Sequence, residues 1–73
     1  MRSMLRAVRM IIARKCVERK APLIATDKEV YALTGKSLEE QLAEAMPLAE
    51  QKLIKIGETF NGIYYKLREY DNN

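Results

Sequence analysis

Apolar side chains recur at helical spacing along the first twenty residues. At about 3.6 residues per turn, six of them share one face of a helix. These residues are Met4, Leu5, Val8, Ile11, Ile12 and Cys16. The pattern predicts an amphipathic helix over residues 2–20, with Cys16 as a buried thiol, the common fate of an isolated cysteine. Ala21-Pro22 ends this helix, because the residue before a proline disfavours helical conformation.

A short extended segment and a second helix are predicted next. The extended segment is Leu23-Ile24-Ala25. Thr26 and Glu29 then have the spacing of a capping box, in which each side chain accepts a hydrogen bond from a backbone N–H at the helix start. We expect a helix from residue 27 to about residue 34, ended by Gly35 in a left-handed conformation. Its predicted buried side chains are Val30, Tyr31 and Leu33.

A third helix is predicted to begin only two residues later, where Ser37 and Glu40 form a second capping box. Its predicted inner face consists of Leu38, Leu42, Ala45, Met46 and Ala49. Pro47 lies inside this helix and removes one backbone hydrogen bond, at about 3 kcal/mol unless a kink absorbs it. We therefore expect irregular structure after Met46. The two closely spaced helices form a helix-turn-helix.

The last third of the chain admits two interpretations. From Leu42 to Tyr70, apolar residues follow one another at spacings of alternately four and three positions. This spacing is typical of a long coiled-coil helix. Gly57 and Gly62 oppose it, because two glycines cost a helix about 2 kcal/mol. Asn61-Gly62 between apolar runs is instead a hairpin signal. We predict a β-hairpin with strands at 52–56 and 63–68, and keep the long helix as the alternative.

Alternate residues of the second predicted strand face opposite sides of the hairpin. The residues predicted to face the core are Ile63, Tyr65 and Leu67, and those predicted to face outward are Tyr64, Lys66 and Arg68. Phe60 lies in the connecting loop. An exposed aromatic ring implies either a return to the core or insertion into a partner. We expect the return to the core.

Composition limits the class of protein. With 73 residues, a net charge of +3 and 48% apolar residues, the chain is expected to form a single domain over residues 1–73. Domains this small bury only about 60% of their unfolded surface, which favours a homodimer. Cys16 is the only cysteine and histidine is absent. We therefore expect no metal site, no cofactor and no enzymatic nucleophile with its base.

Charge is segregated along the chain. Residues 1–20 carry a net +6, residues 21–51 a net −4, and residues 52–73 a net +1. Arginines interrupt the apolar runs of the N-terminus, and no segment approaches the roughly 20 apolar residues that span a bilayer. We expect an intracellular, cytoplasmic protein without a membrane role. The basic ends are expected to meet a polyanion.

With the hairpin accepted, the predicted order is helix, strand, helix, turn, helix, strand, loop, strand. This order resembles a winged helix-turn-helix domain, and the segment LIKIGETFNGIYYKL at residues 53–67 resembles the wing of ArsR-like and MarR-like repressors. The resemblance implies an α+β fold of three helices and a C-terminal β-hairpin. It also implies double-stranded DNA as the partner, with the third helix in the major groove and the wing along the backbone or minor groove.

The leading hypothesis is a small DNA-binding protein, a transcriptional regulator or DNA-organising factor that acts as a homodimer. The candidate contact residues are Arg2, Arg6 and Arg9 on the first helix, Lys36, Ser37, Glu40 and Gln41 at the helix-turn-helix, and Lys55, Asn61, Tyr64, Lys66 and Arg68 at the hairpin. Glutamine can read adenine and glutamate can accept from cytosine. Carboxylates nevertheless oppose the electrostatic attraction to phosphate that drives most DNA affinity.

Two other classes of function stay open. The acidic third helix, through Glu39, Glu40 and Glu44, suits docking on the basic surface of a protein partner, as an adaptor or inhibitor would. Charge reversal at these positions separates this alternative from DNA binding. The long C-terminal helix, if formed, would instead give a helical oligomer with a basic helix for RNA or a membrane surface.

Overall fold

The computed structural model describes residues 3–70, apart from the side chain of Tyr70. Arg2 and residues 71–73 lie outside the described residues. The chain forms a small α+β domain of three helices and a three-stranded antiparallel sheet. In chain order the elements are α1 (Met4–Glu18), β1 (Ala25–Thr26), α2 (Asp27–Thr34), α3 (Leu38–Glu50), β2 (Ile54–Thr59), β3 (Gly62–Leu67) and a short 3-10 helix (Arg68–Tyr70). The hairpin is confirmed, but its strands lie at 54–59 and 62–67 and not at the predicted 52–56 and 63–68, so most of the predicted loop is strand. The alternative of a long C-terminal helix is wrong.

Hydrogen bonds at both ends of α1 account for its limits. The Ser3 hydroxyl accepts the backbone N–H of Arg6 at 3.2 Å and caps the start of the helix. Arg19 adopts a left-handed conformation with φ of 56°. Its N–H and that of Lys20 then bond to carbonyls of the last turn. The helix therefore ends at Glu18, two residues before the predicted end.

Both predicted capping boxes are present. Thr26 Oγ1 accepts the N–H of Glu29 at 3.2 Å, and the Glu29 carboxylate accepts the N–H of Thr26 at 3.0 Å. The Ser37 hydroxyl and the Glu40 carboxylate exchange the same pair of bonds at 3.2 and 2.8 Å. Gly35, with φ of 75°, ends α2. The helices α2 and α3 and the turn between them are therefore built from local signals that the sequence carries.

The sheet has the order β1-β3-β2, with β3 at its centre. The strand β1 contains only two residues, starts at the last residue of the predicted extended segment, and pairs with Tyr64 and Tyr65 of β3. The Asp27 carboxylate, just beyond β1, accepts the N–H of Ile63 at 3.2 Å. The N-terminus of α2 thus holds β3 near its start as well as at its middle.

A two-residue turn, Phe60-Asn61, joins β2 to β3, because Thr59 pairs with Gly62. Phe60 is fully exposed at this turn. Its predicted return to the core is wrong, since a two-residue turn is too short to fold the ring back onto the helices. The hairpin therefore ends in an aromatic ring in solvent.

One apolar core joins all three helices and all three strands. Its buried members are Met4, Val8 and Ile12 of α1, Ala25 of β1, Val30 of α2, Ala45 of α3, Ile54 of β2, and Tyr65 and Leu67 of β3. Ile63 packs against this cluster. The predicted inward face of β3 is thereby confirmed. Burial of each large aliphatic side chain contributes about 1.5–3 kcal/mol.

Two side chains predicted to be buried lie at the surface. Cys16 is exposed, because the last turn of α1 faces α2 through Lys15 and turns the thiol outward. Tyr31 is 58% exposed, since Val30 is the residue that α2 buries in the core.

The inner face of α3 differs from the predicted one. Its fully buried residues are Gln41 and Ala45, while Leu38 and Met46 are 40% and 57% exposed. The helix is therefore turned so that an amide enters the core and an apolar stripe lies at the surface. The expected irregularity after Met46 is also wrong, since α3 continues through Pro47 to Glu50.

Candidate nucleic-acid interface

Gln41 is the only buried polar side chain among the described residues, with 1% exposure. Its Nε2 donates to the carbonyls of Asp27 at 3.0 Å and Lys36 at 2.9 Å. Its Oε1 accepts the Tyr65 hydroxyl at 2.9 Å. The amide therefore connects the start of α2, the turn before α3 and the central strand. The structure places Gln41 in the core, and not at the surface where the sequence predicts a DNA contact.

The Tyr65 hydroxyl is held as a hydrogen-bond donor by this arrangement. Burial, assisted by the negative charge of Asp27, raises its pKa from 10.0 to about 12. Both effects disfavour the phenolate. The Tyr65–Gln41 pair is thus a fixed structural contact throughout the neutral range of pH.

The other predicted contacts at the helix-turn-helix also take part in local structure. The Lys36 ammonium lies 2.5 Å from the Glu44 carboxylate, and the lysine side chain is only 11% exposed. Ser37 and Glu40 are exposed but cap the start of α3. The backbone N–H of Ser37 lowers the pKa of Glu40, so this carboxylate stays negative. The turn therefore presents little positive charge to a phosphate.

The exposed surface of α3 is acidic and apolar. No lysine or arginine occurs between residues 38 and 50. The exposed members are Leu38, Glu39, Glu40, Ala43, Met46, Pro47 and Glu50. Carboxylates repel the phosphates that line a major groove. This surface is better suited to a protein than to DNA.

The outer face of the hairpin has the opposite character. Lys55 of β2 and Lys66 of β3 are direct cross-strand partners, so their ammonium groups share this face. Gly57 and Tyr64 form another such pair. A Cβ atom on Gly57 would lie only 2.2 Å from Cζ of Tyr64. The tyrosine ring therefore covers the glycine, on the outer face where the sequence places it.

The strand ends bring further cations to the base of the hairpin. The N–H of Arg68 donates to the Leu53 carbonyl at 3.1 Å, which places Arg68 beside the turn that contains Lys52. We call Lys52, Lys55, Lys66 and Arg68 the hairpin-base cluster. Lys52 is not among the predicted contacts, and its only sequence signal is its position two residues before β2. The cluster assembles only when the two strands pair.

The remaining predicted contacts lie around this cluster or apart from it. Arg6 and Arg9 are exposed on α1, one turn apart. Nε of Arg9 lies 4.0 Å from a carboxylate oxygen of Glu69, next to Arg68, so Arg9 extends the cluster onto α1. Asn61 is exposed at the hairpin tip, at the opposite end of the strands from Arg68. The structure therefore brings Arg9 and the base of the hairpin together and leaves Asn61 separate.

Within residues 3–70, no group of three or more acidic or cysteine side chains is arranged to hold a metal ion. None of the described helices combines the length and apolarity that a membrane span requires. Comparison with protein-family models, with curated proteins and with solved structures gives no match. The assignment of function therefore rests on the geometry and charge of the chain itself.

Proposed function

We propose that this protein is a winged helix-turn-helix protein that binds double-stranded DNA, and that it binds mainly through phosphate contacts of the hairpin-base cluster. The order of the elements and the sheet order β1-β3-β2 support this proposal. So does the helix-turn-helix, in which Gly35 separates two capped helices. In this arrangement the hairpin is the wing.

The observation that carries the proposal is the pairing of Lys55 with Lys66 on the outer face of the hairpin. Like charges directly opposite each other destabilise a sheet. Lys52 and Arg68 add positive charge at the same end of the strands. A phosphate backbone along this face would neutralise these cations and release counterions from the DNA.

The chemistry of α3 defines the kind of DNA binding that we propose. Phosphate contacts position a protein, whereas contacts to base edges give sequence specificity. Gln41 is buried and the exposed face of α3 has no cations. We therefore favour a DNA-organising factor with weak sequence preference over a regulator that recognises one site.

The test is fluorescence anisotropy with a mixed-sequence duplex across a salt series. We expect affinity to fall steeply with salt, because each phosphate contact adds about 0.9 to the slope of log K against log salt. The double variant Lys66→Ala/Arg68→Ala should reduce the magnitude of that slope by about 2. The matched control is Arg19→Gln/Lys28→Gln, which removes two exposed cations outside the cluster.

The control double variant could change the slope as much as the double variant in the cluster does. That result would show unspecific attraction of DNA to a basic protein, and would exclude the hairpin as the DNA-binding site. Absence of binding at low salt would reject DNA as the partner. Equal affinity for every duplex sequence is the expected result for a DNA-organising factor. A strong preference for one sequence would contradict our interpretation of α3.

A second candidate function is favoured by the surface of α3. Leu38 and Met46 are exposed beside Glu39, a combination that suits a protein partner with a basic rim. Glu39→Lys tests it without disturbing the caps or ion pairs that involve Glu40 and Glu44. If α3 lies near DNA, this variant should bind DNA more tightly. If α3 is a protein docking face, DNA affinity should change little.

A further inference from the structure

A groove of about 500 Å³ separates α1 from α2 on the protein surface. Its apolar wall consists of Met10 and Ile11 of α1 and Ala32 and Leu33 of α2. Its volume lies in the range of roughly 300–1,000 Å³ that is typical of ligand pockets. The groove is therefore large enough for an aromatic ring.

The rim of this groove is charged, and most of its charges pair with one another. Nζ of Lys15 lies 2.7 Å from Oε1 of Glu29, and Lys20 lies 3.3 Å from Glu18. Arg14 also lines the groove, and it has no ion pair among the described residues. The rim is therefore positive at Arg14.

The hairpin tip has the complementary properties. Phe60 is the most exposed large apolar side chain of the described chain, and Glu58 is exposed two residues before it. The tip is held in shape, because Thr59 Oγ1 accepts the N–H of Asn61 and Asp27 accepts the N–H of Ile63, each at 3.2 Å. The tip therefore has an ordered backbone that presents an exposed aromatic ring next to a negative charge.

We propose that the ring of Phe60 in one molecule occupies the α1–α2 groove of a second copy, with Glu58 facing Arg14. Charge complementarity selects a second copy as the occupant, since the tip is negative and the groove rim is positive at Arg14. The ring lies outside the molecule's own groove, as its full exposure shows. The ring of Phe60 packs against the apolar wall of the groove, and the ion pair between Glu58 and Arg14 sets the orientation of the ring.

This contact joins two different surfaces. Two molecules joined by one such contact still have one unoccupied tip and one unoccupied groove, so association continues head to tail into a ring or an open chain. The smallest ring is a two-fold dimer in which each molecule inserts its tip into the groove of the other. Such growth would let a DNA-organising protein cover DNA cooperatively, but the contact itself does not depend on DNA.

The experiment is sedimentation velocity of the full chain without DNA, over a protein series that reaches about 1 mM, because interfaces of small area are weak. We expect association into dimers or larger species at high concentration and low salt, with reduced association at high salt. Phe60→Ala should weaken association roughly 30-fold, as loss of a central aromatic contact does. Tyr31→Ala removes an exposed aromatic ring outside the groove lining and should leave association unchanged.

A complementation experiment tests the head-to-tail geometry. Phe60→Ala lacks the ring but keeps the groove, and Ala32→Trp fills the groove but keeps the ring. Each variant alone should be monomeric, with a circular dichroism spectrum like that of the parent protein. An equimolar mixture should form one-to-one heterodimers and nothing larger, because only one productive contact exists in each pair.

Charge exchange then tests the ion pair. Glu58→Arg and Arg14→Glu should each weaken association, and the double variant should restore it. A parent protein that stays monomeric at the highest concentration would overturn the proposal. So would Phe60→Ala and Ala32→Trp variants that still associate, or a mixture that fails to form heterodimers. These results are independent of DNA affinity, so failure here leaves the proposed function to its own test.

Discussion

The helix α3 and the hairpin were both predicted to contact DNA, but they use their polar side chains in opposite ways. In α3, Gln41 is buried and Glu44 pairs with Lys36. In the hairpin, Lys55 and Lys66 lie on the outer face, opposite the face that packs on the core. These polar groups of α3 therefore hold the fold together, whereas those of the hairpin lie outside the core.

This contrast separates stability from function within one small domain. Substitutions in the polar contacts of α3 should lower the free energy of unfolding, and substitutions on the outer face of the hairpin should change binding while the fold persists. A domain of this size has a free energy of unfolding of only roughly 4–11 kcal/mol. The loss of one buried hydrogen-bond network is a large fraction of that total.

The largest expected effect is at Gln41. Gln41→Ala removes three hydrogen bonds of the amide, to the carbonyls of Asp27 and Lys36 and from the Tyr65 hydroxyl. We expect the free energy of unfolding to fall by about 3 kcal/mol, since each hydrogen bond contributes about 1 kcal/mol. Urea denaturation of the variant and the parent measures this change in the free energy of unfolding.

The matched control for this variant is Gln51→Ala, which truncates an exposed glutamine at the end of α3. Its effect should stay below about 0.5 kcal/mol. A loss at Gln41 no greater than that of the control would show that the buried network contributes little. The contrast between α3 and the hairpin would then disappear.

The next effect concerns the Tyr65 hydroxyl. Because the folded protein raises the pKa of Tyr65 from 10.0 to about 12, the unfolded chain releases this proton more readily. The stabilisation that comes from the protonated Tyr65 hydroxyl is complete below pH 10 and is lost as the pH rises towards 12. The free energy of unfolding of the parent protein should therefore decline over this range.

Tyr65→Phe removes both the hydroxyl and its titration. Below pH 10 we expect it to be less stable than the parent by about 1 kcal/mol, the net value of a hydrogen bond. This difference should shrink between pH 10 and pH 12. Tyr31→Phe, which removes an exposed hydroxyl, controls for other groups that titrate in this range. If the difference in the free energy of unfolding between the Tyr65 variant and the parent stayed constant from pH 10 to pH 12, the proton linkage would be contradicted.

A smaller effect is expected where the Tyr64 ring covers Gly57. Gly57→Ala forces the ring away, because the new Cβ would lie 2.2 Å from Cζ of the ring. The ring can rotate, so we expect a cost of about 1 kcal/mol, at the lower end for overpacking. Chemical shifts of the ring protons should report the displacement. In a Tyr64→Ala background the same substitution should cost less, as a double-mutant cycle measures.

The smallest effect, and one of opposite sign, is expected at Lys66. Lys66→Glu places a carboxylate opposite Lys55, which should raise the free energy of unfolding by a few tenths of a kcal/mol. DNA affinity should fall at the same time. Lys52→Glu reverses a charge of the same cluster outside the strands, and should weaken DNA binding without stabilising the fold. A stabilised Lys66 variant with unchanged DNA affinity would break the proposed link between the cluster and DNA.

The helix ends and the hairpin could be predicted from the sequence because their causes are local. Thr26 with Glu29, and Ser37 with Glu40, satisfy backbone groups only three residues away. Gly35 tolerates the left-handed conformation that ends α2. Such interactions depend on neighbours along the chain, so a sequence pattern is sufficient to identify them.

The candidate site was less predictable, because it depends on how elements pack. Gln41 has the helical spacing of the inner face of α3, but its polar side chain led to a surface prediction, and only the approach of Tyr65 from β3 makes its burial favourable. Lys52 joins the hairpin-base cluster through the Arg68–Leu53 hydrogen bond. These contacts connect residues 15 or more positions apart. The periodicity of apolar residues within one helix or strand does not predict such contacts.

The sequence by itself determined the order of the elements, both capping boxes, the hairpin and the inward face of β3. Only the tertiary structure decided that Gln41 enters the core, that Cys16 and Tyr31 lie outside it, and that Phe60 stands in solvent. Apolar periodicity sets the approximate buried face of each helix. The final rotation of a helix is fixed by the hydrogen bonds and side-chain volumes of the elements packed against it, because every buried polar group needs a partner.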